Sequence, residues 1–170
     1  MSRRINVRGI IHQDGTLFAV RHKRPEGSAS FWCTPGGGLD DGESLEDGLR
    51  RELREETGVD AVIGRLAVIQ QFKKSPDENY PYDEFLEFFF VIDNPEDFAK
   101  VSLTGTSHGE AELAAYGFVA PRDVDLLELD AGVAGVLDLA RDVDRPELRA
   151  DAALAQAREV GVAGRAAADV

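Results

Sequence analysis

The sequence predicts an α/β domain. Runs of β-branched and aromatic residues recur between turn signals, one strongly amphipathic helix interrupts them after residue 44, and the 43% hydrophobic to 30% charged balance is that of a folded globular chain. At 170 residues a single domain is expected. Residues 1–144 are assigned to it, and the alanine-rich segment 145–170 to a helical extension or a partly disordered tail. A chain of this length buries roughly 68 to 70% of its unfolded surface, so no metal is needed to hold the core and any metal is expected to serve chemistry.

Residues 4 to 12 and 16 to 21 read as two antiparallel strands, joined by the tight-turn dipeptide Asp14-Gly15. Lys23 to Leu39, with two prolines and four glycines, reads as a long functional loop. A helix opens at Ser44, which with Asp47 makes a capping-box-like start. Leu45, Leu49 and Leu53 repeat every four residues, and Gly58 suits a left-handed C-cap. Val59 to Phe72 reads as strand with a kink at Gly64, either a bulge or a turn between two strands, Lys73 to Asp83 as polar loop, and 84–92 (EFLEFFFVI) as a buried central strand. Glu87, the charge within that last strand beyond its first residue, either faces solvent or serves the site. A strand at about 112–119 and a helix at about 131–141 complete the series.

The net charge of −13 opposes binding to nucleic-acid polymers or anionic membranes. A polyanionic substrate therefore needs counter-ions. The single Cys33 excludes an internal disulfide framework and fits a reducing cytoplasm. The N-terminal stretch is interrupted by Asn6, Arg8 and His12, so no signal-peptide core forms, and no apolar run approaches the roughly 20 residues of a spanning helix. A cytoplasmic location is expected.

The chemistry concentrates between Phe31 and Asp60, in FWCTPGGGLDDGESLEDGLRRELREETGVD. On a helix, Glu52, Glu55 and Glu56 are related by i, i+3 and i+4, so their carboxylates project on one side and can converge on a divalent cation. All-oxygen ligation suits Mg2+, or Mn2+ in its place. Arg51, one turn before Glu55, can hold a ligand's rotamer by ion pairing. Gly36, Gly37 and Gly38 let backbone N–H groups approach a ligand or the metal helix where a side chain would collide. Taken alone, LRRELREE reads as a solvated helix laced with ion pairs, and the glycines as a flexible loop; the fixed spacing between them favours the site.

Read from Gly37, the segment fits G-x(5)-E-x(7)-R-E-U-x-E-E-x-G-U, with U a bulky aliphatic, through Glu43, Arg51, Glu52, Leu53, Glu55, Glu56, Gly58 and Val59. It resembles the Nudix box at every defining position. The resemblance implies the Nudix fold, a mixed β-sheet sandwiched between α-helices. It also implies a Mg2+-dependent pyrophosphohydrolase splitting a nucleoside diphosphate linked to another moiety. By the same resemblance Glu52 is the general base, Glu52, Glu55 and Glu56 are metal ligands, and Arg51 belongs to the catalytic set. Gly36, Gly37, Gly38 and Arg24 are assigned to substrate binding. Members of the family draw a further ligand or base from outside the box, for which Glu87, Glu110 and Glu112 are candidates; Glu112 is placed in the metal set. The expected partner is a small nucleotide, with a homodimer compatible. ADP-ribose, nucleotide sugars, normal or oxidised nucleoside triphosphates and dinucleoside polyphosphates remain open as substrates, since Pro76, Tyr80, Pro81 and Tyr82 give mixed cues downstream of the box. The alternative is a non-catalytic Nudix-fold nucleotide sensor, although such modules commonly lose box glutamates and this chain keeps them all.

Among the neighbours of the box, Phe31 and Trp32 are read as core or loop-anchoring aromatics and Cys33 as a small buried side chain. His22, Lys23 and Arg24 either meet phosphate or form a solvated basic cluster.

Overall fold

Two sheets and one long helix make up the computed structural model, which describes residues 2–23, 32–73 and 81–120. The first sheet has the order β5-β1-β7-β6, formed by Gly36–Gly38, Arg3–Ile10, Glu84–Ile92 and Ile63–Lys73. It is mixed: β1 runs parallel to β7 and antiparallel to β5, while β6 and β7 are antiparallel. The second sheet is antiparallel and contains β2 (His12–Gln13), β3 (Thr16–His22), β4 (Trp32–Cys33) and β8 (Leu113–Val119), with β3 paired to the other three. The α/β class expected from the sequence is the one observed.

The helix α1, Leu45–Thr57, begins and ends where its residues dictate. The Ser44 side chain accepts the Asp47 N–H at 3.1 Å, and Gly58 closes the helix at φ 75°, a conformation open chiefly to glycine. Leu49 and Leu53 are fully buried against Val7, Ile11, Phe90 and Ile92. Each buried leucine stabilises the fold by about 1.5–3 kcal/mol, which fixes the rotation of α1 and thereby the direction of its glutamates. The short 3-10 turn Pro95–Lys100 adds Phe98 to the same core, edge-on to Phe18 at 5.4 Å.

Asp14 and Gly15 both have positive φ, as the hairpin reading requires, but the hairpin joins β2 to β3 only. The expected single strand over 4–12 is broken at Ile11, and its first part crosses to the other sheet to pair with β7. Apolar alternation records which faces are buried and leaves the pairing partner open. The stretch Lys23–Leu39 is not all loop: β4 and the triple glycine β5 are strands, the latter with Val7 opposite Gly37. Strand β6 starts at Ile63 rather than Val59, and its register shifts around Leu66 mark a bulge beside Gly64. The expected helix at 131–141, the tail 145–170, Arg24, Phe31, Pro76 and Tyr80 lie outside the described residues. Among the described residues no helix is long and apolar enough to cross a membrane.

Candidate active site

The site forms where α1 lies against β5. Because β5 carries no side chains, its backbone approaches the helix so closely that a Cβ on Gly37 would stand 2.5 Å from the Glu52 carboxylate. Gly36 is held the same way on its other side, where a Cβ would run into the Val7 carbonyl oxygen of β1. Its φ of 131° lies in the region that L side chains rarely adopt. The Gly36 N–H donates to Glu56 Oε2 at 2.9 Å. The glycine run thus brings a backbone donor to the helix, although as a strand edge and not as a loop.

Arg51 organises the helix side. Its Nε donates to Glu43 Oε1 at 2.8 Å, Nη1 to Glu52 Oε1 at 3.0 Å and Glu55 Oε2 at 3.3 Å, and Nη2 to Glu43 Oε2 and the Gly38 carbonyl at 3.0 Å each. Glu43, Arg51, Glu52 and Glu55 of the motif are therefore one physical unit: Arg51 ties loop, strand and helix together. Hydrogen bonding from Arg51, followed by the Asp40 N–H, holds the Glu43 carboxyl below the usual range. Among the described residues, no three His, Cys, Asp or Glu side chains are gathered closely enough to hold an ion as they stand. Glu52 and Glu55 lean to Arg51, while Glu56 leans to Gly36.

Glu56 is the electrostatic exception. It is only 3% exposed, and burial pushes its carboxyl up to about 7; the Gly36 N–H and the Arg8 charge pull it down, and the Glu52 and Glu112 charges push it up further. Burial likewise raises Glu52, against the opposing pull of Arg51. A buried carboxylate with like charges beside it invites a cation, and the all-oxygen donor set suits a hard divalent one. The residues present thus fit the metal that the sequence motif implies.

The outlying candidates separate clearly. Glu112, at the end of the short helix α2 (Gly109–Glu112), is exposed but near enough for its charge to act on Glu56. Glu110 is exposed and turned back on its own loop, accepting the Gly105 N–H at 3.1 Å. Glu87 does not face solvent: it is 6% exposed and bonded to Asn6, Gln70 and Arg8. His22 places Nε2 3.8 Å from Glu56 Oε1, and Lys23 Nζ donates to the Glu110 carbonyl. Trp32 is half-buried, packed against the Ile10, Leu17 and Phe89 cluster under the Arg21 guanidinium. Cys33 is half-buried against the Val20 carbonyl.

Two contributors escaped the sequence reading. His108 donates its N–H to the Glu55 carbonyl at 3.0 Å and sets Nδ1 3.1 Å from Glu55 Oε2. Gly109 packs on the Glu56 carbonyl, where a Cβ would not fit. The last turn of α1 is therefore clamped by the start of α2, the helix that carries Glu112. A recess of about 700 Å3 at that end of α1, among Arg54, Lys100, Thr104 and Thr106, contains none of the site carboxylates.

The family model of the NUDIX domain matches residues 2–139. The chain belongs to the NUDIX domain family. This NUDIX chain is 35% identical over 103 residues to an RNA pyrophosphohydrolase of a Nitratiruptor species, covering 55% of this chain and 61% of the relative. It is 31% identical over 108 residues to the Nudix hydrolase YvcI of Bacillus subtilis (strain 168), covering 64% and 63%. To an ADP-ribose pyrophosphatase of Methanocaldococcus jannaschii it is 29% identical over 89 residues, 52% of this chain and 50% of that one. The match thus spans about 61–63% of the first two relatives' length. In fold, the NUDIX chain is similar to the solution structure of the Escherichia coli ORF135 protein, at TM-score 0.58 and 21% identity over 89% of this chain and 96% of that one. It is also similar to the MutT protein of Methanosarcina mazei Go1, at TM-score 0.56 and 24% identity over 85% and 94%. The mixed sheet described above is accordingly that of the Nudix fold.

Proposed function

We propose that the chain is a divalent-metal-dependent pyrophosphohydrolase acting on a nucleoside diphosphate linked to a further moiety. The observation that carries this is Glu56, a carboxylate buried beside Glu52 on the motif helix and met by a backbone N–H. Such an arrangement is unfavourable for a resting helix and useful for holding a cation. Relatives named for RNA, CTP and ADP-ribose have in common a ribonucleotide carrying a phosphoric anhydride and differ in what is attached to it, which supports assigning the bond before the substrate. The charge of −13 ranks small nucleotides above a polymer.

Glu52, Glu55, Glu56 and Glu112 would hold Mg2+, or Mn2+, which supplies charge neutralisation on the phosphate oxygens and lowers the pKa of the attacking water. The chain's own residues do the rest. Glu52 takes the proton from that water as general base, its carboxylate kept against β5 because Gly37 leaves room for it. Arg51 bridges Glu52 and Glu55, offsetting their mutual repulsion, and ties both to the Gly38 carbonyl. The half-buried backbone of Gly37 and Gly38, together with Arg24, is assigned to the substrate's phosphates.

The deciding experiment incubates the purified chain and Mg2+ with ADP-ribose, nucleotide sugars, nucleoside triphosphates, dinucleoside polyphosphates and 5′-triphosphorylated RNA. Hydrolysis of at least one small nucleotide into two phosphorus-containing products, lost on chelation, is expected. Heavy-oxygen water should label only one product. Tight nucleotide binding with no turnover of any compound would establish a sensor instead.

A further inference from the structure

In the same sheet as the glycine strand, on the far side of β1, β7 carries another buried carboxylate that takes no part in the chemistry proposed above. Glu87 Oε1 accepts from Asn6 Nδ2 at 2.9 Å and from Arg8 Nη2 and Nε at 3.3 and 3.4 Å, while Oε2 accepts from Gln70 Nε2 at 2.8 Å. Both oxygens are engaged, and the group is an anchor rather than a base. What it anchors is Arg8, whose remaining arm, Nη1, donates to the Gly36 carbonyl at 2.8 Å.

Gly36 is therefore held at both ends. Arg8 fixes its C=O, and its N–H meets Glu56 Oε2. A glycine at φ 131° has no side chain of its own to define its orientation, so the bonds made to its peptide groups must define it. Arg8 is suited to this because a planar guanidinium can grip a carboxylate with one edge and a carbonyl with another; a lysine ammonium, a single point of charge, cannot span both.

We propose that Arg8 is a positioning residue: through Gly36 it sets the orientation in which Glu56 meets a divalent cation, with Glu87, Asn6 and Gln70 as its anchor. This rests on the reading of Glu56 as a metal ligand. Positioning and simple charge lead to opposite expectations. Arg8 carries a positive charge near Glu56, so on electrostatics alone its removal strengthens cation binding, and replacement by lysine changes nothing. Under positioning, both changes weaken binding.

The test uses the full chain without substrate. Mn2+ binding is followed by electron paramagnetic resonance for wild type, Arg8→Lys, Arg8→Met and Glu87→Gln, and Gly36 amide exchange by NMR in the metal-free protein. Arg8→Lys should weaken Mn2+ binding by about tenfold or more, as losses of groups that orient metal ligands do. Its Gly36 amide should exchange about tenfold faster, while amides in the β3–β8 ladder keep wild-type protection. Glu87→Gln should move both readouts in the same direction. Arg8→Lys with wild-type Mn2+ affinity, an unchanged Gly36 amide, or tighter binding by a folded Arg8→Met variant would each overturn the proposal. Wild type that binds no Mn2+ would sink the metal-ligand reading and this role with it; wild-type binding with an unaltered Arg8→Lys sinks only the role of Arg8. Exchange at Gly36 reports Arg8's grip whichever substrate the chain acts on.

Discussion

Gly37 and Glu52 compete for one space: the Glu52 carboxylate occupies the position that any side chain on Gly37 would need. Since the obstructing atoms are the far end of a flexible side chain, Gly37→Ala should lower stability by less than about 1 kcal/mol. Glu52, however, must swing away, and a misplacement of about 1 Å can lower turnover by about a hundredfold. Thermal melts and steady-state kinetics on the same preparation check this. Gly36→Ala, which collides with backbone at positive φ, should instead fail as a folding defect.

Glu56 gives a pH dependence with a definite sign. Its folded carboxyl sits at about 7 against an ordinary value of 4.5, so between these values the folded state keeps a proton that the unfolded state has lost. Metal-free stability from this group should fall as pH rises from about 4.5 to 7 and level off above, by an amount on the order of 1–3 kcal/mol. Glu56→Gln should accordingly melt higher than wild type at pH 8 and differ little at pH 4.5. Equal differences at both pH values would show that burial of the Glu56 charge is not the cause. In wild type, millimolar Mg2+ should oppose the loss at pH 8, by mass action on the folded state.

Glu52→Gln preserves shape and removes basicity. Turnover should fall by about 10²–10⁴-fold while the melting temperature stays the same or rises, because burial already disfavours the charge. Near-wild-type turnover would place the base elsewhere.

Arg51→Ala should behave differently from both. It strips the donors from Glu43, Glu52, Glu55 and the Gly38 carbonyl together, so stability should fall by about 1–3 kcal/mol and turnover with it. Arg51→Lys should recover part of the stability and less of the turnover, which parallel melting and kinetic measurements would show.

Glu112 is exposed, so Glu112→Gln should change stability by no more than about 0.5 kcal/mol. If it joins the metal set, the same change should weaken Mn2+ binding measured by titration; an unchanged affinity would remove it from that set.

Much of this architecture was legible in the sequence where the cause is local. The limits of α1 follow from Ser44 and Gly58, its buried face from Leu49 and Leu53, and the hairpin from Asp14-Gly15. The assembly of the motif follows in part, since Arg51 and Glu55 are one turn apart. What was hidden is non-local. Nothing near Glu87 in sequence indicates Arg8, because their proximity depends on β1 pairing in parallel with β7 at one register. Arg8 in the interior of one strand and Glu87 in the interior of another are the signal, and pairing them requires the topology. The glycine run reads as loop because strand propensity is low for glycine, whereas here close approach to α1 and β1 outweighs propensity.

The parallel pairing of β1 and β7 bears on how the chain acquires its site. Antiparallel neighbours can join through a short turn, but a parallel pair cannot form until the whole intervening crossover exists. Asn6 and Arg8 meet Glu87 across 81 and 79 positions of sequence. A nascent chain that has emerged only as far as Val59 therefore contains every residue of the motif and still has no neighbour for β1 on that side, and no grip on Gly36 through an anchored Arg8. The motif is complete in the sequence long before it is complete in space. Folding of the site should thus be a late, non-local event, set by the arrival of β7 rather than by the helix that bears the carboxylates.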